Sequence, residues 1–145
     1  MKMSEKIILT IPAVPKYVST VRLAVSSVAS QAGLDVEAIE DVRLAVSEAC
    51  NNIIQHAGIE DDSYQVECDL SSDRLDITVR DKGEGYDADL ESAGASGEPA
   101  NNARSGEDGL GLGILIIRTL MDEVKVESIP GQGTTLRMTR YISAG

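Results

Sequence analysis

The 145-residue chain contains no tryptophan, no phenylalanine and only four tyrosines. Proteins that grip single-stranded nucleic acid stack bases on aromatic side chains, and this sequence has little to stack with. Basic residues are scarce as well: 13 Lys and Arg stand against 24 Asp and Glu, a formal net charge of −11. Direct DNA or RNA binding depends on Lys and Arg neutralising phosphates, so no nucleic-acid partner is expected. The two cysteines, Cys50 and Cys68, form no CxxC pattern, and with a single histidine they cannot assemble a structural zinc set. Buried free thiols in a reducing compartment are expected instead. No apolar run approaches the ~20 residues of a membrane helix, and Met1–Lys6 lacks the apolar core of a signal peptide. The expectation is a cytoplasmic protein with no membrane partner.

A hydrophobic fraction of 42% beside 26% charged residues is enough for a packed core. At this length a single domain over residues 1–145 is expected. Lys6–Ile11 reads as a strand, closed by Pro12 and Pro15. Val18, Val21, Leu23, Ala24, Val28 and Ala29 follow helical spacing up to Gly33, and Ile39, Val42, Val46, Ala49 and Ile53 do the same up to Gly58. Tyr64, Val66, Cys68 and Leu70, then Leu75, Ile77 and Val79, alternate with polar residues, the pattern of a half-buried sheet. Glu91–Asp108 holds no Val, Ile, Leu or aromatic residue, which marks a lid or binding loop within residues 86–110. A third helix over Gly111–Met121, with Leu112, Leu115, Ile116 and Leu120 as its apolar face, and two strands, Glu123–Ile129 and Thr134–Ile142, complete the chain. This order predicts an α/β two-layer sandwich: a mixed, mainly antiparallel sheet covered on one face by about three helices.

Four clusters carry candidate chemistry. Glu48, Asn52 and His56 are spaced by four, so they share an arc of roughly 80° on one edge of the second helix. They form either a solvated flank or the wall of a cleft. Carboxylate and amide oxygens suit Mg²⁺, which also takes water and phosphate oxygens, better than they suit zinc. Asp81, Gly83 and Gly85 follow a strand whose parity points Asp81 inward, where a carboxylate needs a hydrogen-bond donor. That donor could belong to a capped turn or to the exocyclic amine of an adenine. Gly109, Gly111 and Gly113 lead into a helix N-terminus, which can serve as an anion site or as a hinge. Gly131, Gly133 and Thr134 open the last strand, with the Thr134 hydroxyl inward like Asp81.

In this order and spacing the clusters resemble the Bergerat ATP-binding fold shared by Hsp90, DNA gyrase B, MutL and sensor histidine kinases. Glu48 and Asn52 match its N box; Asp81, Gly83 and Gly85 its first glycine box; Gly109, Gly111 and Gly113 its second; and Gly131, Gly133 and Thr134 its Gly-x-Gly-Thr box. The stretches Ile11–Gly33, Ile39–Ala57 and Gly109–Val126 look like the bacterial anti-sigma factor serine-protein kinases, particularly the general-stress anti-sigma-B type.

The resemblance implies ATP and Mg²⁺ as cofactors, with Asn52 as the metal ligand and Glu48 as the general base toward a substrate serine. It implies Asp81 on the adenine amine with Thr134 assisting, and the glycines around the phosphates. It further implies a homodimer that sequesters a sigma factor and phosphorylates an anti-anti-sigma protein, with Arg22 on the first helix meeting partners. His56 would border the phosphates or support Asn52, and Arg104 would meet a partner or the γ-phosphate. Three alternatives stand beside this reading. One is a switch kinase acting on an upstream scaffold protein, and another is a nucleotide-dependent anti-sigma binding module without turnover. The third is a sensor histidine kinase catalytic domain, whose phosphoacceptor histidine would have to lie on a separate protein.

Overall fold

The first strand, β1 (Glu5–Pro12), ends where two prolines bracket a tight turn, and Pro15–Tyr17 forms a single 3-10 turn that feeds α1 (Val18–Gln31). The computed structural model describes residues 4–56, 63–81, 112–129 and 133–143. Helix α1 stops because Gly33 adopts φ +86°, a left-handed conformation that costs glycine little. The Gly33 and Leu34 amides then return to the Ser30 and Ala29 carbonyls. Asp35 caps α2 (Val36–His56): its Oδ1 accepts the Ala38 N–H at 2.8 Å, satisfying one of the free donors of the first turn.

Strands β2 (Ser63–Leu70) and β3 (Arg74–Asp81) form a hairpin. Residues 112–120 form α3, followed by β4 (Glu123–Ile129) and β5 (Gly133–Tyr141). The strand order is β1-β2-β3-β5-β4, and every pairing is antiparallel. The architecture is the expected α/β two-layer sandwich, with α1, α2 and α3 contributing to the core on one face of the sheet.

Period-two patterning decides which residues enter that core. Tyr64, Val66 and Cys68 of β2, Leu75, Ile77 and Val79 of β3, and Leu136 and Met138 of β5 are all buried. They meet Val21 and Val25 of α1, Val42, Val46 and Ile53 of α2, and Ile117 of α3. The opposite face is polar. There Asp76 accepts a 2.5 Å hydrogen bond from Thr139 and lies 3.8 Å from Arg74 and 3.9 Å from Arg137, while Lys6 pairs with Glu67 at 3.5 Å.

Two expected core assignments are corrected. Leu23 is 70% exposed, and on α3 Leu112 and Leu115 are 60% and 58% exposed. The buried side of that segment is Gly113, Ile117 and Met121, spaced by four. Every residue from 110 to 117 is apolar or glycine, so hydrophobicity alone could not choose the inward face.

Candidate functional site

Asn52 projects from the inner edge of α2 and is 5% exposed. Its Nδ2 is buried and has no hydrogen-bond partner among the described residues. The carboxamide lies directly beneath α3: a Cβ placed on Gly113 would come within 2.8 Å of Nδ2 and 3.1 Å of Oδ1. Two of the predicted site residues, far apart in sequence, therefore meet. Glu48, one turn earlier on α2, is half-buried beside the apolar stripe.

Asp81 ends β3 on the inward parity of Ile77 and Val79 and is 1% exposed. Its Oδ1 accepts the Thr134 N–H at 3.1 Å, which helps to offset the cost of burying a carboxylate. Gly133 makes this approach possible. It adopts φ +92°, and a Cβ there would lie 2.3 Å from Asp81 Oδ1 and 2.7 Å from the Asp81 carbonyl oxygen. Asp81, Gly133 and Thr134 thus form a second convergence, across the β3–β5 ladder.

Tyr64 links the two halves. It is the cross-strand partner of Asp81, and its hydroxyl reaches the Cys50 thiol, two residues before Asn52. The buried oxygen has no hydrogen-bond partner of normal geometry among the described residues. Burial pushes the Cys50 thiol up to about 12, a rise that the Tyr64 hydroxyl and the nearby Arg22 charge partly oppose. Burial also raises Tyr64, and it raises Cys68 to about 11. Both thiols are free and buried. The sequence reading overlooked the role of Tyr64, although its inward parity opposite Asp81 was a usable signal.

Arg22 lies in the α1–α2 seam. Its Nη1 donates to Ser47 Oγ at 3.4 Å, and Ser47 precedes Glu48. The side chain is half-buried, so it is more than a solvated helix charge. His56 closes α2; Gly83, Gly85, Gly109, Gly111, Gly131, Arg104 and the lid segment lie outside the described residues.

No group of three or more His, Cys, Asp or Glu side chains able to hold a metal occurs among the described residues. Mg²⁺ does not require such a group, because it usually takes one or two protein ligands and completes its shell with water and phosphate oxygens. The orphaned Nδ2 and the clearance provided by Gly113 fit a polar, phosphate-bearing ligand. Two open hollows, about 550 and 350 Å³, lie around Asp76 and across the polar sheet face, and none of the predicted site residues lines them. No described helix is long and apolar enough to cross a membrane.

Residues 11–140 match the histidine kinase-like ATPase domain family. The chain is 42% identical over 147 aligned positions to the serine-protein kinase RsbW of Listeria innocua, covering 97% of this chain and 90% of that one. It is 39% identical to RsbW of Bacillus subtilis over 136 positions, covering 92% and 83% respectively. Two solved structures share the fold. One contains the RsbU and RsbW domains of Rv1364c from Mycobacterium tuberculosis, with TM-score 0.68 and 21% identity over 94% of this chain, which spans only 32% of that protein. The other is the SiaB–SiaC complex from Pseudomonas aeruginosa, with TM-score 0.58 and 16% identity over 94% of this chain and 88% of the matched chain. The chain belongs to the histidine kinase-like ATPase domain family and, within it, to the RsbW serine-protein kinases, the anti-sigma kinase family that its motifs resemble.

Proposed function

We propose that this protein is an anti-sigma factor with serine/threonine kinase activity. It sequesters a stress-type RNA polymerase sigma factor and phosphorylates its anti-anti-sigma antagonist at the expense of Mg-ATP. The unphosphorylated antagonist displaces the sigma factor, and its phosphorylated form releases the kinase. The observation that carries the nucleotide part is the buried Asn52 amide donor with no described partner, held under the first turn of α3. A buried unsatisfied donor costs about 1–3 kcal/mol, and a phosphate-bearing ligand would remove that cost.

Mg-ATP bound here would supply the transferable phosphoryl group and neutralise charge as transfer proceeds. Asn52 would hold the metal through its amide oxygen. Asp81, already oriented by the Thr134 N–H, would accept from the adenine amine, with Thr134 assisting through water. Gly83 and Gly85 would let the backbone approach the nucleotide, and Gly109, Gly111 and Gly113 would present N–H groups to phosphates. Glu48 would take the proton of the substrate hydroxyl as general base. Arg22, anchored on Ser47 beside Glu48, would present its charge to protein partners at the active edge. The working unit is a cytoplasmic homodimer, with residues 86–110 acting as the lid of a single domain.

Mixing the purified protein with Mg-ATP and its anti-anti-sigma partner tests this reading. Phosphoserine or phosphothreonine should form, and it should vanish in Glu48→Ala while ATP binding persists. Tight partner and nucleotide binding without any transfer would instead establish a binding module. Transfer to a scaffold protein rather than to the antagonist would establish the switch kinase.

A further inference from the structure

Gly113 is a glycine with no backbone reason to be one. The described glycines at positive φ are Gly33 and Gly133, and Gly113 sits in ordinary helical backbone, where alanine is the better helix former. Its reason is space. A Cβ there would stand 2.8 Å from Asn52 Nδ2, closer than packed atoms tolerate, and would crowd Oδ1 at 3.1 Å and Cγ at 3.3 Å. Yet the amide beneath it has no hydrogen bond from Nδ2 to fix its orientation. The terminal torsion of an asparagine is broad and roughly two-fold, so only packing can hold such a group.

We propose that Gly113 is a positioning residue for Asn52: α3 rests on the carboxamide at Gly113 and sets which way its oxygen and nitrogen face the metal and phosphate. The proposal rests on the reading of Asn52 as a Mg²⁺ ligand. Gly113 therefore acts on the metal through the Asn52 side chain, in addition to any backbone N–H it offers. Because the atoms in the way belong to the end of a side chain, the amide rather than the fold gives way when a methyl group is added.

Calorimetric titration of ADP, in Mg²⁺ and in EDTA, provides the test. Gly113→Ala should lose at least tenfold of the affinity that Mg²⁺ adds, read as the ratio of ADP affinity with the metal to that without it. Asn52→Ala should lose the same increment, and the double variant should lose no more than either alone. Melting temperatures without nucleotide give a second readout. Gly113→Ala should lower the melting temperature when Asn52 is present and raise it in the Asn52→Ala background, where helix propensity is unopposed. An intact Mg²⁺ increment in Gly113→Ala overturns the proposal, as do additive losses in the double variant. Equal losses with and without metal also overturn it, because they would assign Gly113 to the phosphates or to the fold. A wild-type protein that gains no ADP affinity from Mg²⁺ overturns the Asn52 reading itself, and that result is visible before any variant is made. A sign reversal in melting temperature would still support the steric coupling of the two residues.

Discussion

Asp81 and Gly133, on neighbouring strands, meet so closely that the glycine hydrogen occupies the only space between the backbone of β5 and the Asp81 carboxylate: a Cβ there would lie 2.3 Å from Oδ1. The contact fixes one end of the site before any ligand arrives. It also places Thr134 N–H on the carboxylate, so a single residue without a side chain serves both the turn into β5 and the orientation of the Asp81 acceptor.

Gly133→Ala should therefore be among the most damaging single-methyl changes in the chain. The left-handed backbone alone costs an L-residue about 1–2 kcal/mol, and the carbonyl oxygen of Asp81, 2.7 Å from the new atom, cannot swing aside as a side chain would. Thermal unfolding should show a midpoint several degrees lower, and nucleotide affinity should fall with it.

Asp81→Asn separates pocket chemistry from stability. The amide oxygen can still accept the Thr134 N–H, so the fold should hold to within about 1 kcal/mol. Adenine recognition loses a charge-assisted hydrogen bond, and ATP affinity should drop tenfold or more. Calorimetry alongside a denaturant titration distinguishes the two effects.

Much of this arrangement was legible in the sequence, and the reason is parity. Asp81 follows Leu75, Ile77 and Val79 at period two, and Thr134 precedes Leu136 and Met138 in the same way, so both were expected to point inward, and both are buried. Helix spacing likewise put Asn52 at the edge of the core. The face of α3 was not legible, because residues 110–117 are all apolar or glycine; Gly113 rather than Leu112 faces inward, against Asn52. Parity places Tyr64 in the core, but its tie to Cys50, like those of Ser47 and Arg140, joins partners 14 or more residues apart along the chain.

Arg140 is the clearest of these. It lies on the inward parity of β5 but donates from Nη1 to the Leu120 carbonyl at 2.5 Å and to Asp41 at 3.3 Å, with Asp122 at 4.0 Å from Nε. One guanidinium thus ties the C-terminal end of α3 to α2 and to the sheet. Arg140→Ala should cost about 1–2 kcal/mol, mostly through the Leu120 carbonyl, because the ion pairs are partly exposed and screened. Hydrogen exchange should quicken in α3 before it does in β2 and β3.

The thiols set a pH dependence. Burial raises Cys50 from 9.0 to about 12 and Cys68 from 9.0 to about 11, so the folded state keeps protons that the unfolded chain gives up. The number of bound protons is then larger in the native state, and stability must fall as pH rises. Their contribution is fully present below about pH 9 and is lost progressively between pH 9 and pH 12. The slope is at most ~1.4 kcal/mol per pH unit for each thiol. Urea unfolding at pH 8, 9.5 and 10.5 should show this decline, and Cys50→Ala should flatten it. A thiol reagent at pH 8 should react with neither cysteine until the protein unfolds.

Calorimetric titration of ATP into the wild-type protein, with and without Mg²⁺, bears most directly on the site as a whole. Asn52 on α2 and Asp81 on β3 should act on one nucleotide, so binding should be tightened by Mg²⁺, the gain should disappear in Asn52→Ala, and affinity in either condition should fall in Asp81→Asn. No uptake of ATP in either condition, or uptake indifferent to both substitutions, would contradict the account.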